Sequence, residues 1–113
     1  MRQIPKRLLI HSADFYKKPV KDRWGKEGDP EKIQLSLVKI EPSSAITRDK
    51  NNQEIKLSAV LFYDCKNSRP RGLKIAEDDV IIFNGQQLKV VSVDPCYDES
   101  RLHHYEIGLV RHA

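Results

Sequence analysis

The sequence predicts an all-β protein, a small antiparallel β-barrel or sandwich of about six strands with long loops. Apolar and polar residues alternate along several short runs, and stretches rich in proline, glycine and polar residues separate these runs. No segment repeats its apolar residues with the roughly 3.6-residue period of a capped amphipathic helix. Because 113 residues suffice for one hydrophobic core, we expect residues 1–113 to form a single domain.

The N-terminal part contains two predicted strands and two long connections. The run KRLLIH, Lys6–His11, predicts the first strand. Residues 12–31 are mostly polar and contain two prolines and two glycines, which predicts an extended loop. The run KIQLSLVKIE alternates apolar and polar side chains and predicts a half-buried second strand. Residues 42–53 predict a polar connection, with at most a short helix or turn near Ser43–Thr47.

The run IKLSAVLFYD predicts a third strand. Its alternation places one apolar set on a single face: Ile55, Leu57, Ala59, Leu61 and Tyr63. Val60 and Phe62 are apolar on the opposite face. We therefore expect other parts of the chain to cover the second half of this strand on both sides. The basic stretch CKNSRPRGLKIAED then connects it to the next strand.

The stretch VIIFNGQQLKVVSV predicts a β-hairpin. Asn84-Gly85 stands between two β-branched runs, Val80–Phe83 and Gln87–Val93. A type I′ turn needs positive φ at both central residues, which asparagine tolerates and glycine adopts freely. Because proline cannot donate a hydrogen bond to a ladder, we expect Asp94-Pro95 to end the second strand.

The run HHYEIGLV predicts the last strand. Its alternation places Tyr105, Ile107 and Leu109 on one face and His104 and Glu106 on the other. The predicted strands together give a set of residues that we expect to be largely buried: Ile55, Leu57, Leu61, Leu88, Val90, Ile107 and Leu109.

Composition restricts the partners of the chain. The 20 basic and 16 acidic residues give a net charge of +4, whereas dedicated duplex-DNA binders usually concentrate more Lys and Arg on one face. No apolar run is long enough to cross a bilayer, and the run Leu8–Ile10 is too short for a signal peptide. We therefore expect an intracellular protein with no membrane partner.

The sequence contains no pattern that indicates catalysis. It has no G-x-S-x-G, Walker A, H-E-x-x-H or G-x-G-x-x-G motif. The acidic pairs Asp78-Asp79 and Asp98-Glu99 lie beside predicted turns, where solvated carboxylates are common. We expect no enzymatic activity, no catalytic residue and no cofactor.

A metal site is considered at His103-His104, with Cys96 or His112 as a further ligand. Adjacent residues of a strand point to opposite faces, so both imidazoles are not expected to meet one ion. We therefore expect no metal site. Cys65 and Cys96 show no metal-type spacing, and a reduced pair is favoured, although a disulfide stays open.

Nucleic-acid binding is the second function considered. The segment FYKKPVKDRWGK interleaves Phe15, Tyr16 and Trp24 with basic residues, as single-strand binding grooves do. The segment KNSRPRGLK adds Arg69 and Arg71. These aromatic residues fall in a predicted loop, which favours an arm whose Trp24 docks on the edge of the core. Long loops on a small β-scaffold favour an interaction protein as the third possibility.

The order of the segments resembles that of the minor capsid, or head-tail joining, proteins of long-tailed bacteriophages and prophages. IPKRLLIH, KDRWGKEGD and IQLSLVKIEPS resemble the first strand, the D-x-W-G loop and the second strand of that family. The segment from IKLSAVLFYD through VIIFNGQQLKVVSVDPCYDE resembles its third strand, N-G hairpin and P-x-Y motif. LHHYEIGLV resembles its final strand, so the likeness spans nearly the whole chain.

The resemblance implies a structural virion protein without catalysis or cofactor. Such proteins form a ring of identical subunits below the portal, retain the packaged DNA and dock the tail. The implied partners are further copies of the chain, a portal or adaptor protein, tail proteins and passing double-stranded DNA. The implied location is the head-tail junction of the virion, after assembly in the bacterial host cytoplasm.

The resemblance also implies site residues. In the family, the connection between the second and third strands projects into the channel, and it corresponds here to residues 42–53. The candidate channel residues near DNA are Ala45, Ile46, Thr47, Arg48, Asp49 and Lys50. Trp24, Arg69 and Arg71 are candidate contacts to neighbouring subunits or partners. A stand-alone nucleic-acid-binding β-barrel is the alternative function.

Overall fold

The structure is a computed structural model that describes residues 4–17, 32–48, 51–99 and 101–111. These residues form one 3₁₀ turn, Lys6–Leu8, and eight β-strands. The strands are β1 (His11–Tyr16), β2 (Lys32–Pro42), β3 (Ile46–Arg48), β4 (Glu54–Lys56), β5 (Ala59–Asp64), β6 (Val80–Phe83), β7 (Gln86–Asp98) and β8 (Arg101–Arg111).

Six strands close into an antiparallel barrel in the order β1-β2-β5-β8-β7-β6. The pairing of β1 with both β2 and β6 completes the circle, so every barrel strand has a partner on each side. The short strands β3 and β4 form a separate two-stranded sheet. The predicted all-β fold, with a small antiparallel barrel, is confirmed.

The first strand lies later in the chain than predicted. Lys6–Leu8 forms a 3₁₀ turn, in which the Leu8 N–H donates to the Pro5 carbonyl at 2.9 Å. β1 begins only at His11, so the expected strand Lys6–His11 is wrong. The expected loop 12–31 is also wrong over residues 12–16, which belong to β1. The rest of that segment, apart from Lys17, lies outside the described residues.

The second strand is confirmed, but its alternation changes phase in the middle. Leu37 has a positive φ of 54°, and the register with β1 shifts opposite it. Leu35 before the irregularity and Val38 and Ile40 after it are buried in the core. A positive φ for a leucine is uncommon. Strict alternation would place Leu37 on the same face as Leu35, but Leu37 is only half-buried.

The predicted third strand is interrupted. β4 ends at Lys56 and β5 begins at Ala59, so Leu57 lies between two strands, although it remains buried. β4 pairs with β3 rather than with the barrel. The segment 42–53 therefore contains a strand, Ile46–Arg48, where a short helix or turn was the most that we expected.

The predicted hairpin is confirmed at its turn and is longer than predicted. Asn84 and Gly85 have φ values of 51° and 77°, as a type I′ turn requires. β7 does not end at Asp94-Pro95 but continues to Asp98. β6 pairs with β7 only as far as Lys89, so the following part of β7 has a ladder with β8 alone. Proline is tolerated in such an edge position.

The core lies inside the barrel. Most of the residues predicted to be buried are buried, and Ile55 alone of that set is half-buried. The central cluster is almost entirely aliphatic: Ala13, Phe15, Leu35, Val38, Ile40, Ala59, Leu61, Tyr63, Ile81, Leu88, Val90, Ile107 and Leu109. Among the described residues, no helix has the length and apolar character needed to cross a bilayer.

Candidate interaction surfaces

The strands β3 and β4 form a short hairpin that is attached to the barrel at its base. Ile46 pairs with Lys56, and Arg48 pairs with Glu54. At the base, the Leu57 N–H donates to the Ala45 carbonyl at 2.8 Å, next to the start of β5. We call Ile46–Arg48 with Glu54–Lys56 the β3–β4 hairpin. Its backbone is defined by pairing, which the polar sequence of residues 42–53 did not reveal.

The β3–β4 hairpin presents an apolar and a basic side chain to solvent. Ile46 is 67% exposed, which is unusual for an isoleucine in a strand. Arg48 donates to Glu54 Oε1 at 3.2 Å and to the Asn52 carbonyl at 2.9 Å. Ala45 is exposed and Thr47 is half-buried. The other two candidate channel residues, Asp49 and Lys50, lie outside the described residues.

The candidate contact residues Arg69 and Arg71 differ in their surroundings. The Arg69 guanidinium donates to three carbonyls of its own loop, those of Lys66, Asn67 and Ser68, at 2.8–3.1 Å. Arg69 therefore closes a turn, a role that its sequence did not indicate. Arg71 is exposed. The third candidate, Trp24, lies outside the described residues.

A buried carboxylate fixes the N-terminal segment against the end of β5. Asp64 is fully buried and accepts hydrogen bonds from the backbone N–H groups of Ile4, Lys66 and Asn67 at 2.7–3.1 Å. The Asn67 amide also donates to the Ile4 carbonyl at 2.8 Å. Hydrogen bonding to backbone N–H groups satisfies a buried charge. The D-x-x-N spacing was the available signal for this turn.

The clamped N-terminal segment borders an apolar groove on the outside of the barrel. Leu8 and Ile10 are exposed large apolar residues. They line a groove of about 460 Å³ together with Phe62 of β5 and with residues of charged or polar character. Other parts of the chain were expected to cover Val60 and Phe62 on the outer face of β5. This cover is only partial, because both residues are half-buried.

The C-terminal part of β7 and the N-terminal part of β8 form a ribbon beyond the β6 edge. We call Asp94–Asp98 and Arg101–Glu106 the distal ribbon. Cys96 pairs directly with His104 across the ribbon, and Glu106 follows two residues along β8 on the same face. One donor atom from each of these three side chains lies within 4.8 Å of the other two. Two of the residues considered as metal ligands, Cys96 and His104, therefore converge, and the sequence did not indicate their grouping with Glu106.

A bulge explains why the neighbouring histidines meet. The register passes from Cys96↔His104 to Tyr97↔Leu102, which leaves His103 as an extra residue in β8. The Nδ1 atoms of His103 and His104 lie 2.7 Å apart, and their rings meet edge to face. The prediction that adjacent histidines point to opposite faces is therefore wrong, because it assumed a regular strand.

The two cysteines are free thiols in different surroundings. Burial and the adjacent Glu106 carboxylate raise the pKa of the Cys96 thiol to about 11. The Cys96 thiol donates to Glu106 Oε2 at 2.9 Å. Burial, and to a smaller extent Asp64, raises the pKa of the Cys65 thiol. Neither thiol has the lowered pKa of a nucleophilic cysteine.

A cavity lies beside the core at Tyr63. Its volume is about 350 Å³, and Leu73, Ile75, Val93 and Tyr105 contribute to its walls. The Tyr63 hydroxyl is buried and has no hydrogen-bond partner among the described residues. Burial raises the pKa of Tyr63 to about 12. The phenol is therefore neutral at physiological pH.

Comparison with protein families gives a match over nearly the whole chain. Residues 5–109 match the model of a family described as minor capsid protein. The chain belongs to the minor capsid protein family. Membership supports a minor capsid protein of phage origin with a structural role in the virion, and it suggests a protein that is not an enzyme. No curated protein matches the chain in sequence.

Proposed function

We propose that this minor capsid protein is a head-tail joining subunit. Identical copies assemble into a ring below the portal or an adaptor protein, retain the packaged DNA and dock the tail. Membership of the minor capsid protein family carries the proposal. The resemblance between the segment order and that of head-tail joining proteins supports this role among capsid functions.

The closed barrel supports an assembly through side chains and projecting elements. Along the closed part of the barrel every strand has a partner on each side, so no sheet edge is free there for a second copy. Exposed large apolar residues offer the contacts instead: Leu8, Ile10, Ile46 and Tyr97. They lie on the N-terminal segment, the β3–β4 hairpin and the distal ribbon, all outside the barrel wall.

We assign the β3–β4 hairpin to the channel and to DNA retention. Its strands are only three residues long, and its base is hydrogen-bonded to the barrel. The hairpin is therefore a short projection attached to a rigid domain. Ile46 would pack against a neighbouring subunit, and Arg48 would face the DNA backbone. A phosphate requires no base-specific contact, which suits a channel that passes any sequence.

The test shortens the β3–β4 hairpin without moving its base. Residues 47–55 are replaced by Asn-Gly, which joins the paired residues Ile46 and Lys56 through a two-residue turn. We expect heads assembled with this variant to lose their DNA, measured as nuclease-protected genome per head. We expect the isolated variant to keep the melting temperature of the wild type, because no central core residue is removed.

A point variant separates loss of the hairpin from loss of its charge. Arg48→Ala keeps the backbone of β3 and is expected to reduce DNA retention less than the shortened hairpin does. The matched control Lys89→Ala removes a positive charge from β7. Normal DNA retention by heads that contain the shortened hairpin would rule out this hairpin as the gate. Heads that fill normally and bind tails without this protein would exclude the joining role.

The alternative, a stand-alone nucleic-acid-binding barrel, makes a different prediction. Its binding to short single-stranded oligonucleotides would weaken steeply as salt is added. Ring formation, or co-purification with a portal, would instead support the joining subunit. Both measurements use the same purified chain, so they distinguish the two functions directly.

A further inference from the structure

We propose that Cys96, His104 and Glu106 form a zinc-binding site on one face of the distal ribbon. The strand register builds this site. Cys96 and His104 are direct partners across β7 and β8, and Glu106 is on the His104 side two residues further along. Three different donor types therefore meet on a ribbon that is already held together by backbone pairing. The site is independent of the β3–β4 hairpin and of the proposed joining role.

The distances suit a tetrahedral ion. Cys96 Sγ lies 2.9 Å from Glu106 Oε2, and His104 Nε2 lies 3.5 Å from the same oxygen. Zinc at its usual bond lengths to sulfur, nitrogen and oxygen separates neighbouring donors by roughly 3.3–3.8 Å. The first separation is shorter than that range and the second lies within it, so the Cys96 and Glu106 side chains need only move slightly apart for all three donors to reach bonding distance.

The donor set selects the metal. A thiolate, an imidazole and a carboxylate together suit zinc, whereas calcium and magnesium prefer oxygen ligands alone. The thiolate and the carboxylate also neutralise the two positive charges of the ion. Binding requires the Cys96 proton, which is shared with Glu106 in the metal-free protein, to leave to solvent.

The fourth position is open. The His104 side chain is 18% exposed and the Glu106 side chain is 43% exposed, so solvent reaches one side of the group. Three protein ligands with water in the remaining position are an established zinc arrangement. The proposed site therefore takes its three protein ligands from one chain.

His103 holds His104 in the orientation that the site needs. When His104 Nδ1 carries the proton of the 2.7 Å contact with His103 Nδ1, His104 Nε2 presents its lone pair towards Cys96 and Glu106. The Phe62 ring lies 6.2 Å from the imidazole, centroid to centroid, on the neighbouring strand β5. Contacts to the second ring nitrogen fix the tautomer of metal-binding histidines. His103 is thus a positioning residue.

Cobalt(II) is the probe, because it substitutes for zinc and reports its ligands through its absorption spectrum. The full chain, without added histidines and kept reduced by a phosphine, is titrated with cobalt. We expect saturation at one equivalent, a thiolate-to-cobalt charge-transfer band and the intense visible bands of four-coordinate cobalt. Equimolar zinc should then remove these bands by displacing cobalt.

The variants pair each ligand with a matched control. Cys96→Ser should abolish the charge-transfer band, whereas Cys65→Ser should leave it unchanged. His104→Gln and Glu106→Gln should weaken binding at least tenfold, whereas Glu77→Gln should not. His103→Gln should weaken binding about 10–100-fold and preserve the spectrum, as expected for a residue that orients a ligand. Far-ultraviolet circular dichroism establishes that each variant is folded.

Three outcomes would overturn the proposal. The first is a wild-type chain without a charge-transfer band at equimolar cobalt. The second is a band that survives Cys96→Ser or disappears in Cys65→Ser. The third is saturation at half an equivalent, which would mean that two chains share the ion.

Discussion

The two halves of β7 belong to one strand but differ in their strand pairing and in their exposure to solvent. In the first half, Leu88 and Lys89 pair with β6 on one side and with β8 on the other, and Leu88 and Val90 are buried in the barrel. Residues 94–98 pair with β8 alone and carry Tyr97, which is 63% exposed. Pairing with two strands and burial of its apolar side chains stabilise the first half, whereas the second half is free to present side chains. The same contrast separates the barrel from the β3–β4 hairpin.

The comparison predicts its largest difference for truncations in the two halves. Leu88→Ala removes a side chain that is 3% exposed and leaves a cavity inside the barrel. We expect a loss of about 2–5 kcal/mol of unfolding free energy. Tyr97→Ala in the distal ribbon should cost about 0.5 kcal/mol or less. Urea unfolding of both variants checks this, and equal losses would show that the distal ribbon belongs to the stable core.

Gly108 tests how closely β7 and β8 pack near the boundary between the two halves of β7. It faces Ser92, next to a register shift between Val90 and Ser92, and a Cβ there would lie 2.9 Å from Leu57 Cδ2 and closer still to Ser92 Oγ. We expect Gly108→Ala to cost about 1–3 kcal/mol by overpacking. The loss should be smaller in a Ser92→Ala background, and additive losses in urea unfolding would contradict this contact.

These two regions also show how far the sequence could predict the fold. The Asn84-Gly85 turn follows from local chemistry, and the burial of Leu88, Ile107 and Leu109 follows from alternation. The exceptions have a common cause. At Leu37 and at His103, an irregularity in the ladder changes which side of the strand the following residues face. A bulge depends on the partner strand, so one run of sequence does not reveal it.

The candidate sites follow the same rule. The exposed Ile46 could be identified as an apolar residue in a polar segment, whereas the grouping of Cys96, His104 and Glu106 depends on the register of β7 against β8. The pairing of Cys96 with His104 also needed β7 to continue through Pro95, which the sequence argued against. Sites within one segment were therefore predictable, and sites between strands were not.

His11, the first residue of β1, adds a pH-dependent difference. Its Nδ1 accepts a hydrogen bond from the Ile40 N–H at 3.0 Å. Burial, with a smaller effect of Lys39, lowers the pKa of His11 below 6.5. Between the lowered pKa and 6.5, the unfolded chain binds more protons, so stability rises with pH. The contribution of His11 is therefore complete above pH 6.5 and falls as the pH drops below that value.

The measurement compares wild type and His11→Gln by urea unfolding above and below pH 6.5. The variant should lose less stability than the wild type when the pH is lowered, because its side chain at position 11 does not titrate. If the two proteins show the same pH dependence, the Ile40–His11 hydrogen bond does not need a neutral imidazole.

The smallest effect is expected for the ion pair of the β3–β4 hairpin. The Arg48 and Glu54 side chains are 56% and 64% exposed, and their charged atoms are 3.2 Å apart. An exposed pair of this kind contributes about 0–1 kcal/mol, and added salt weakens it further. We expect Arg48→Ala to leave the urea midpoint of the barrel almost unchanged.

Amide exchange should instead accelerate at Leu57, whose N–H bonds to Ala45 at the base of the hairpin, while the Val90 amide in the barrel keeps its protection. If the exchange rates of the Leu57 and Val90 amides changed by the same factor, the hairpin would not open separately from the barrel. Separate opening is the property that a gate on a rigid wall requires, because the hairpin must respond to its neighbours while the barrel stays folded.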